Sequence, residues 1–197
     1  MMLLTSSRKP SSKTKILCKK LALFCDAAYM TRGKMPLSEV LEQGSGAVLC
    51  IVGEFHGNPG SLSFYDPKGR LFLSLRFSET SFDPVPQAEL RYGDRFFYGS
   101  ESSSLFKLMT SFMTEGKGQL LPPESVNELF KHNKKDPPND AGAVRAVSWQ
   151  TSGSQKQKSD DAYVRRLYIL DDRLDFYSND RLFLRLYIKG LKSDFNS

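Results

Sequence analysis

Few residues of this 197-residue chain have the types and spacing that catalysis requires. The only two histidines, His56 and His132, are far apart, and no Cys/His spacing resembles a zinc site. Asp160-Asp161 and Asp171-Asp172 are adjacent pairs, and neighbours on a strand point in opposite directions, so neither pair readily forms an acid/base dyad. No phosphate-binding glycine loop or nucleophile-elbow motif occurs. We therefore predict no enzymatic activity, catalytic residue, metal site, cofactor or small-molecule substrate.

The residues that could bind a ligand are cations, and they are concentrated near the N-terminus. Residues 1–36 contain eight Lys and Arg residues and one acid, Asp26, whereas the chain as a whole has a net charge of +6. Such an asymmetry is typical of segments that attract nucleic acid or an anionic membrane surface. A solvated, solubilising tail is the alternative. The predicted polyanion-binding residues, for RNA or anionic lipid, are Arg8, Lys9, Lys13, Lys15, Lys19 and Lys20.

The Ser- and Lys-rich stretch TSSRKPSSKTK, from Thr5 to Lys15, has the composition of a disordered segment. We therefore predict a disordered basic arm over residues 1–15 and a single globular domain over residues 16–197. On this interpretation, removal of residues 1–15 abolishes binding to RNA and anionic lipid and leaves the fold intact.

Strand patterns dominate the rest of the chain. A helix is predicted from about Lys15 to Met30 and a short one from Pro36 to Gly44. Ala47 to Phe55 is a nearly continuous apolar run, as in a strand buried on both faces. Ser61 to Phe77 alternates on either side of a PKG turn and predicts a hairpin.

The second half repeats this mixture of elements. Glu89 to Gly99 predicts two short strands or a bulged strand, and an apolar stripe with Ser102 or Ser103 as N-cap predicts a helix ending at Gly116. The remaining predictions are a short helix in Pro122–Asn133 and a strand from Ala143 to Thr151. A final hairpin is predicted, with strands from Tyr163 to Asp171 and from Leu182 to Lys189 and a turn region between them. The fold class is therefore α+β: a mostly antiparallel β-sheet packed with two to four short helices, plus the disordered basic N-terminal arm. A β-sandwich or jelly roll is the competing fold.

Two of the predicted strands share the pattern Arg-Leu-Phe-Leu-x-Leu, in GRLFLSLRF (Gly69 to Phe77) and DRLFLRLYI (Asp180 to Ile188). Alternation places the leucines on one face and mixes basic and aromatic residues on the other. That second face is either a binding surface for phosphates and bases or a covered packing layer, and the nearby acids favour the covered layer. Its residues are Arg70, Phe72, Arg76, Arg181, Phe183, Arg185 and Tyr187.

The three cysteines, Cys18, Cys25 and Cys50, lie in apolar settings. We expect reduced, buried thiols, as in a cytosolic or nuclear protein. MMLL is too short for a signal-peptide core, and no apolar run reaches the length of a membrane-spanning helix. The sequence thus predicts a protein that is not secreted.

In layout, the chain resembles the matrix proteins of rhabdoviruses, particularly those that infect plants. SSRKPSSKTK would be the arm, and the antiparallel strands SLSFYDPKGRLFLSLRF and RRLYILDDRLDFYSNDRLFLRLYI would surround a helical segment. The late-domain motif of many animal-virus members is missing. The resemblance implies a non-enzymatic structural protein that bridges the nucleocapsid, or RNA, and an anionic membrane surface, and that self-associates as a homo-oligomer.

The implied location is the virion and the host cytoplasm or nucleus, peripheral to membranes. Two other functions stay open. One is a nucleic-acid-binding viral accessory protein of the movement or silencing-suppressor type, and the other is a jelly-roll coat protein.

Overall fold

The computed structural model describes residues 2–44, 46–81, 85–91, 94–100, 102–113, 119–120, 144–149 and 163–193. The chain forms two compact units. The first unit comprises Met1–Glu79 and Tyr187–Ser197, and the second comprises Thr80–Leu186. The last strand, β11 (Arg181–Ser193), contributes its first residues to the second unit and its last residues to the first.

In its described residues, the first unit contains two helices and five strands besides the end of β11. In chain order these are β1 (Met2–Ser6), α1 (Ser12–Cys25), β2 (Ala28–Tyr29), α2 (Leu37–Gln43), β3 (Val48–Phe55), β4 (Asn58–Tyr65) and β5 (Leu71–Ser81). The second unit contains the start of β11 and the elements between. These are α3 (Gln87–Arg91), β6 (Asp94–Ser100), α4 (Ser104–Met113), β7 (Gln119–Leu120), β8 (Val144–Trp149), β9 (Val164–Ile169) and β10 (Arg173–Ser178).

The strands of the first unit lie in the order β2-β1-β3-β4-β5, followed by the end of β11. β1 pairs in parallel with β2 and with β3, and Leu4 lies opposite Cys50. The parallel pairing with β3 follows from the connection, because the chain crosses back through α1 before β3 begins. β3, β4 and β5 then form antiparallel pairs through tight turns.

The second unit has the strand order β7-β8-β6-β9-β10, followed by the start of β11. β6 and β9 pair in parallel, whereas β8 pairs antiparallel with β6, and β10 pairs antiparallel with β9. α4 lies in the connection that leads from β6 towards β9, as α1 lies between β1 and β3.

Each unit contains, in chain order, a strand, a helix, a second strand parallel to the first and two further strands, with β2 and α2 inserted before β3 in the first unit and β7 and β8 inserted before β9 in the second. β5 and β11 are the last strand of this series in their respective units. The shared Arg-Leu-Phe-Leu-x-Leu pattern thus occurs at equivalent topological positions. In each unit, one strand follows a tight turn and directs its leucines towards a core, and the shared pattern fits this structural role.

The predicted fold class was wrong in two respects. Each unit has a mixed arrangement of strands, since among the described residues β1 pairs in parallel with β2 and β3, and β6 pairs in parallel with β9. The predicted disordered arm contains a folded strand, β1, in which Leu3, Leu4, Thr5 and Ser6 are buried. The residues after β1 have a disorder-prone composition, but β1 itself is ordered because its apolar side chains are buried and its backbone pairs with β2 and β3. The single domain over residues 16–197 stays a prediction.

Apolar side chains cover both faces of the β1–β3 pair. On one face, α1 packs against β1, β3 and β4 through Leu17, Leu21 and Phe24. On the opposite face, Val40 of α2 packs with a cluster of strand and loop residues. Its other buried members are Leu3, Ala47, Leu49 and Ile51. β1 and β3 are thus held from both sides, as their apolar sequences require.

Most other local predictions are confirmed, including the apolar strand β3, the β4–β5 hairpin and the strand β8. Ser103 caps α4, since its Oγ accepts a hydrogen bond from the Phe106 N–H at 3.2 Å. The predicted strand at Glu89 was wrong, because that residue lies in α3. The predicted turn region between Asp171 and Leu182 was also wrong, because it contains β10, which pairs with β9. The predicted helix in Pro122–Asn133 lies outside the described residues.

Candidate nucleic-acid interface

The first part of the candidate interface is the segment that joins β1 to α1. The Ser7 N–H donates to the carbonyl oxygen of Val52 at 2.8 Å, which fixes the exit of the chain from β1. Arg8 and Lys9 follow and are both exposed. Ser11 caps α1, and its Oγ accepts a hydrogen bond from the Thr14 N–H at 3.3 Å. The two cations are thus held between a strand end and a capped helix.

Four further cations lie on the solvent side of α1. Lys13, Lys15 and Lys19 are exposed and Lys20 is half-buried, whereas the opposite side of the helix is buried. Helical spacing places Lys15 and Lys19 one turn apart on one flank, with Ile16 nearer the centre of the exposed side. We call Arg8, Lys9, Lys13, Lys15, Lys19 and Lys20 the β1–α1 basic surface. The sequence from Arg8 to Lys20 contains no acid, so this surface can hold a polyanion.

The acid that contacts this region is Glu54, near the end of β3. Its Oε1 accepts hydrogen bonds from the Ser11 N–H at 2.7 Å and from the Thr14 hydroxyl at 2.6 Å. These hydrogen bonds lower the pKa of the Glu54 carboxyl, because they stabilise its charged form. Glu54 therefore ties the first turn of α1 to β3, and it places one negative charge beside the basic surface.

The turn between β3 and β4 lies next to the same end of α1. Phe55 pairs with Asn58, so the turn consists of two residues, His56 and Gly57. Both have positive φ angles, +52° and +76°, as in a type I′ turn. Lys13 Nζ donates to Asn58 Oδ1 at 3.0 Å. The turn is therefore joined to the first turn of α1 by a hydrogen bond.

The Phe55 side chain is 62% exposed, although it is large and apolar. The Arg76 guanidinium lies over its ring, with Cζ 5.7 Å from the ring centroid, within the range of a cation–π contact. The His56 ring packs edge to face against the Phe55 ring, with 4.3 Å between the two ring centroids. We call Phe55, His56 and Arg76 the Phe55 platform. From the sequence, His56 was assigned no catalytic or metal-binding role, and Phe55 was not identified as a candidate residue.

The seven residues predicted as a basic-aromatic face have different environments. Phe72 and Phe183 are buried, at 6% and 2% exposure, so neither ring is available to a ligand in this structure. Arg76 is exposed on the Phe55 platform, and Arg181 is exposed at the start of β11. Tyr187 is half-buried, and Lys189 Nζ lies 5.8 Å from its ring centroid.

The other two arginines of that predicted face form ion pairs. Arg70 pairs with Asp66 at 2.8 Å in the β4–β5 turn. Arg185 pairs with the buried Asp175 of β10 through Nε and Nη2, at 2.5 and 2.7 Å. The covered-layer interpretation thus describes the two phenylalanines, and a binding role for the five other residues stays a prediction.

The three cysteines are buried thiols. Burial raises the pKa of Cys18 to about 12 and that of Cys50 well above its ordinary value. Among the described residues, no group of three His, Cys, Asp or Glu side chains could hold a metal ion. Within the same residues, no helix has the length and apolarity needed to cross a membrane.

Comparison with known proteins identifies archaeal relatives. A probable Brix domain-containing ribosomal biogenesis protein of Methanosarcina barkeri is 56% identical over 78 residues, 40% of this chain and 50% of the relative. A protein of the same description from Methanococcoides burtonii is 38% identical over 118 residues, 60% of this chain and 75% of the relative. The chain spans about half the length of the Methanosarcina relatives that it matches. No family model matches.

Two solved structures have the same fold. The crystal structure of Mil, an archaeal Imp4-like protein, superposes with a TM-score of 0.57 and 19% identity, over 98% of this chain and 99% of Mil. A probable ribosomal biogenesis protein from Aeropyrum pernix gives a TM-score of 0.51 and 16% identity, over 99% and 97% of the two chains.

These relatives overturn the predicted resemblance to rhabdovirus matrix proteins. The matrix function, the two viral alternatives, the virion location and the nucleocapsid and membrane partners are wrong with it. The layout was misleading because a basic N-terminal segment and antiparallel hairpins are general features that do not identify one family. The alignment with the Methanococcoides protein covers three quarters of that relative at 38% identity. The chain therefore belongs to the family of archaeal Brix domain-containing ribosomal biogenesis proteins.

Proposed function

We propose that the chain binds ribosomal RNA during ribosome assembly, through the β1–α1 basic surface. The observation that carries the proposal is the group of six cations from Arg8 to Lys20, with no acid between them in the sequence, of which two lie between β1 and α1 and four lie on the solvent side of α1. The relatives are described as ribosomal biogenesis proteins. RNA is the polyanion of the ribosome, so the surface and the family support the same partner class.

Counterion release gives this surface its binding free energy. Each cation that neutralises a phosphate releases condensed counterions, and the logarithm of the binding constant then falls linearly with the logarithm of salt concentration. Six contacts correspond to a slope of about −4 for single-stranded RNA. Such contacts fix position and orientation with little dependence on sequence. The role that we propose is therefore non-enzymatic positioning of RNA, and self-association stays a prediction.

The proposal is tested by cross-linking in cells. A tagged copy of the chain is expressed in an archaeal cell, the cells are irradiated with ultraviolet light, and the RNA attached to the protein is sequenced. We expect ribosomal RNA and its precursors to be enriched over other abundant RNA. A triple variant, Arg8→Gln, Lys9→Gln and Lys13→Gln, should lose most of this enrichment.

The matched control removes the same charge elsewhere in the first unit. Lys68, Lys189 and Lys192 are exposed and lie outside the β1–α1 basic surface. A variant with glutamine at all three should keep the enrichment. Equal losses in the two triple variants, or no enrichment of ribosomal RNA by the unmodified chain, would contradict the proposal.

A further inference from the structure

We propose that the Phe55 platform stacks an unpaired base of the bound RNA. The inference rests on the proposed function, and it narrows the ligand to RNA with a single-stranded segment beside the basic surface. Aromatic side chains that stack bases are characteristic of proteins that bind single-stranded nucleic acid. Such stacking depends little on sequence, because every base has a flat aromatic face on which a ring can stack.

The exposure of Phe55 is the first observation. Large aromatic side chains are normally buried because each removes a large apolar area from water. Phe55 is one of three large apolar side chains that are exposed in the described part of the chain, with Ile16 and Leu191, and it is the only aromatic of the three. Its ring nevertheless has defined neighbours, Arg76 and His56. It is therefore a positioned ring with most of its surface open.

The backbone around Phe55 is the second observation. A two-residue turn with positive φ at His56 and Gly57 follows it directly, and such turns hold the flanking residues in a fixed register. A Cβ added at Gly60 would lie 2.9 Å from the Phe55 Cβ, so the position of this side chain requires glycine there. A ring that is already fixed loses little conformational entropy when it binds a ligand.

Small residues surround the platform on its sheet. Ser61 lies opposite Arg76 across the β4–β5 pair. A Cβ added at Gly53 would lie 2.3 Å from the Ser61 Oγ, and one added at Gly190 would lie 4.0 Å from the Arg76 Cβ. The positions beside Phe55 and Arg76 are therefore occupied by glycine and serine, which carry no large side chain that could cover the ring, and Ser61 packs closely against Gly53.

Charge next to the platform selects RNA as the occupant. The Lys13–Asn58 hydrogen bond joins the β3–β4 turn to the first turn of α1, where the basic surface begins. β1 and β3 are parallel, so their carboxyl ends, which lead into Arg8 and into Phe55, lie at the same edge of the sheet. A strand whose phosphates contact Lys13 thus has a base within reach of the ring. An apolar protein segment would gain nothing from these cations.

The test compares two RNA ligands of equal length, one single-stranded and one fully paired. We expect Phe55→Leu to weaken binding of the single strand roughly tenfold, because base–aromatic stacking is lost. Binding of the duplex should stay unchanged, since its bases are already stacked and paired. The salt dependence of both should also stay unchanged, because the substitution removes no charge.

Two further variants separate stacking from a general disturbance. Gly60→Ala keeps the ring but displaces it, so it should also weaken binding of the single strand alone. Leu191→Ala removes a comparably exposed apolar side chain of the same unit and should leave both affinities unchanged. Thermal unfolding of Phe55→Leu and Leu191→Ala should match that of the unmodified chain, and Gly60→Ala should stay folded with a lower unfolding midpoint because its added Cβ contacts Phe55 too closely.

Photochemical cross-linking gives a readout that does not depend on affinity. A single 5-bromouridine in the unpaired strand should cross-link to Phe55 in the unmodified chain, as mapped by mass spectrometry. Phe55→Leu variants that bind the single strand as tightly as the unmodified chain would overturn this inference alone, and would leave Phe55 as a contact for a protein. Failure of the unmodified chain to bind either RNA in a salt-dependent way would overturn the proposed function, and this inference with it.

Discussion

At the scale of single residues, Glu54 has two opposing effects. Its carboxylate accepts two hydrogen bonds from the first turn of α1, which stabilises the fold. It also places a negative charge beside cations that we propose to bind RNA. A residue that served stability alone would show only the first effect, so a substitution can measure both.

Glu54→Gln should lower the free energy of unfolding at neutral pH by about 1 kcal/mol, because a charged acceptor is replaced by a neutral one. Folding lowers the pKa of this carboxyl below its ordinary value of 4.5. Its contribution is therefore present above that value and is lost as pH falls through the lower folded-state pKa. Urea unfolding at neutral and at acid pH measures this difference. A difference that persisted unchanged in strong acid would show that the carboxylate charge is not its cause.

The same variant should bind RNA more tightly, by roughly two- to fivefold at low salt, because the substitution removes the negative charge of Glu54, which repels the RNA phosphates. Equilibrium binding to single-stranded RNA measures the change. The expected result is a less stable protein with a higher affinity. Weaker binding by Glu54→Gln would indicate that the carboxylate organises the RNA site rather than opposing it.

The sequence allowed part of this residue-scale picture to be predicted. Lys19 and Lys20 were expected beside the apolar face of a helix, whereas Lys13 and Lys15 were expected in a disordered arm and lie on α1 instead. Phe55 was not predicted as a surface residue, because it ends an apolar strand and such residues are usually buried. Its exposure depends on the two-residue turn at His56, which only the structure reveals.

At the scale of elements, β1 is the main difference between expectation and structure. MLLTS is five residues long and precedes a Ser- and Lys-rich stretch, so local composition predicted disorder. Its partners, β2 and β3, begin more than 20 residues later, and no local pattern specifies a parallel pairing of that range. The β3–β4 and β4–β5 hairpins were predictable because short turns join their strands.

Leu4→Ala should therefore destabilise the chain by about 3 kcal/mol, since Leu4 is buried between β2 and β3 at 1% exposure. Met2→Ala, at a half-buried position of the same strand, should lower the free energy of unfolding by less than about 1.5 kcal/mol. Chemical denaturation measures both. By the same reasoning, deletion of residues 1–15 should unfold the first unit, contrary to the expectation from sequence. A stable, folded deletion variant would contradict the role given to β1.

A buried ion pair between β10 and β11 is the second element-scale feature. Asp175 is 1% exposed, and its carboxylate accepts from Arg185 at 2.5 Å and from Arg173 at 3.4 Å. Removal of one partner from a buried pair leaves charge uncompensated. Asp175→Asn should therefore lower the free energy of unfolding by about 3 kcal/mol.

The matched control is Asp180→Asn. Asp180 pairs with Arg166 at 3.0 Å, but its side chain is 57% exposed. The cost of this substitution should be below about 1 kcal/mol, because solvent screens the pair. Urea unfolding of the two variants gives the comparison, and equal costs would show that burial does not determine the contribution of these pairs.

At the scale of the whole molecule, composition predicted the location of the excess charge but not its context. The basic residues from Arg8 to Lys15 were assigned to a disordered arm, whereas the structure attaches them to the end of β1 and to α1. The repeated strand pattern is visible in the sequence, but it contains too few identical residues to predict a common order of elements in two units. That order depends on pairings between residues far apart in the chain.

The most direct test of the central claim is the salt dependence of RNA binding. The Arg8→Gln, Lys9→Gln, Lys13→Gln variant and the unmodified chain are titrated with single-stranded RNA over a series of salt concentrations. If these side chains neutralise phosphates, the slope of the log–log plot should become shallower by about 2. The Lys68→Gln, Lys189→Gln, Lys192→Gln variant should keep the original slope. Equal slopes for the first variant and the unmodified chain would contradict the claim that RNA binds at the β1–α1 basic surface.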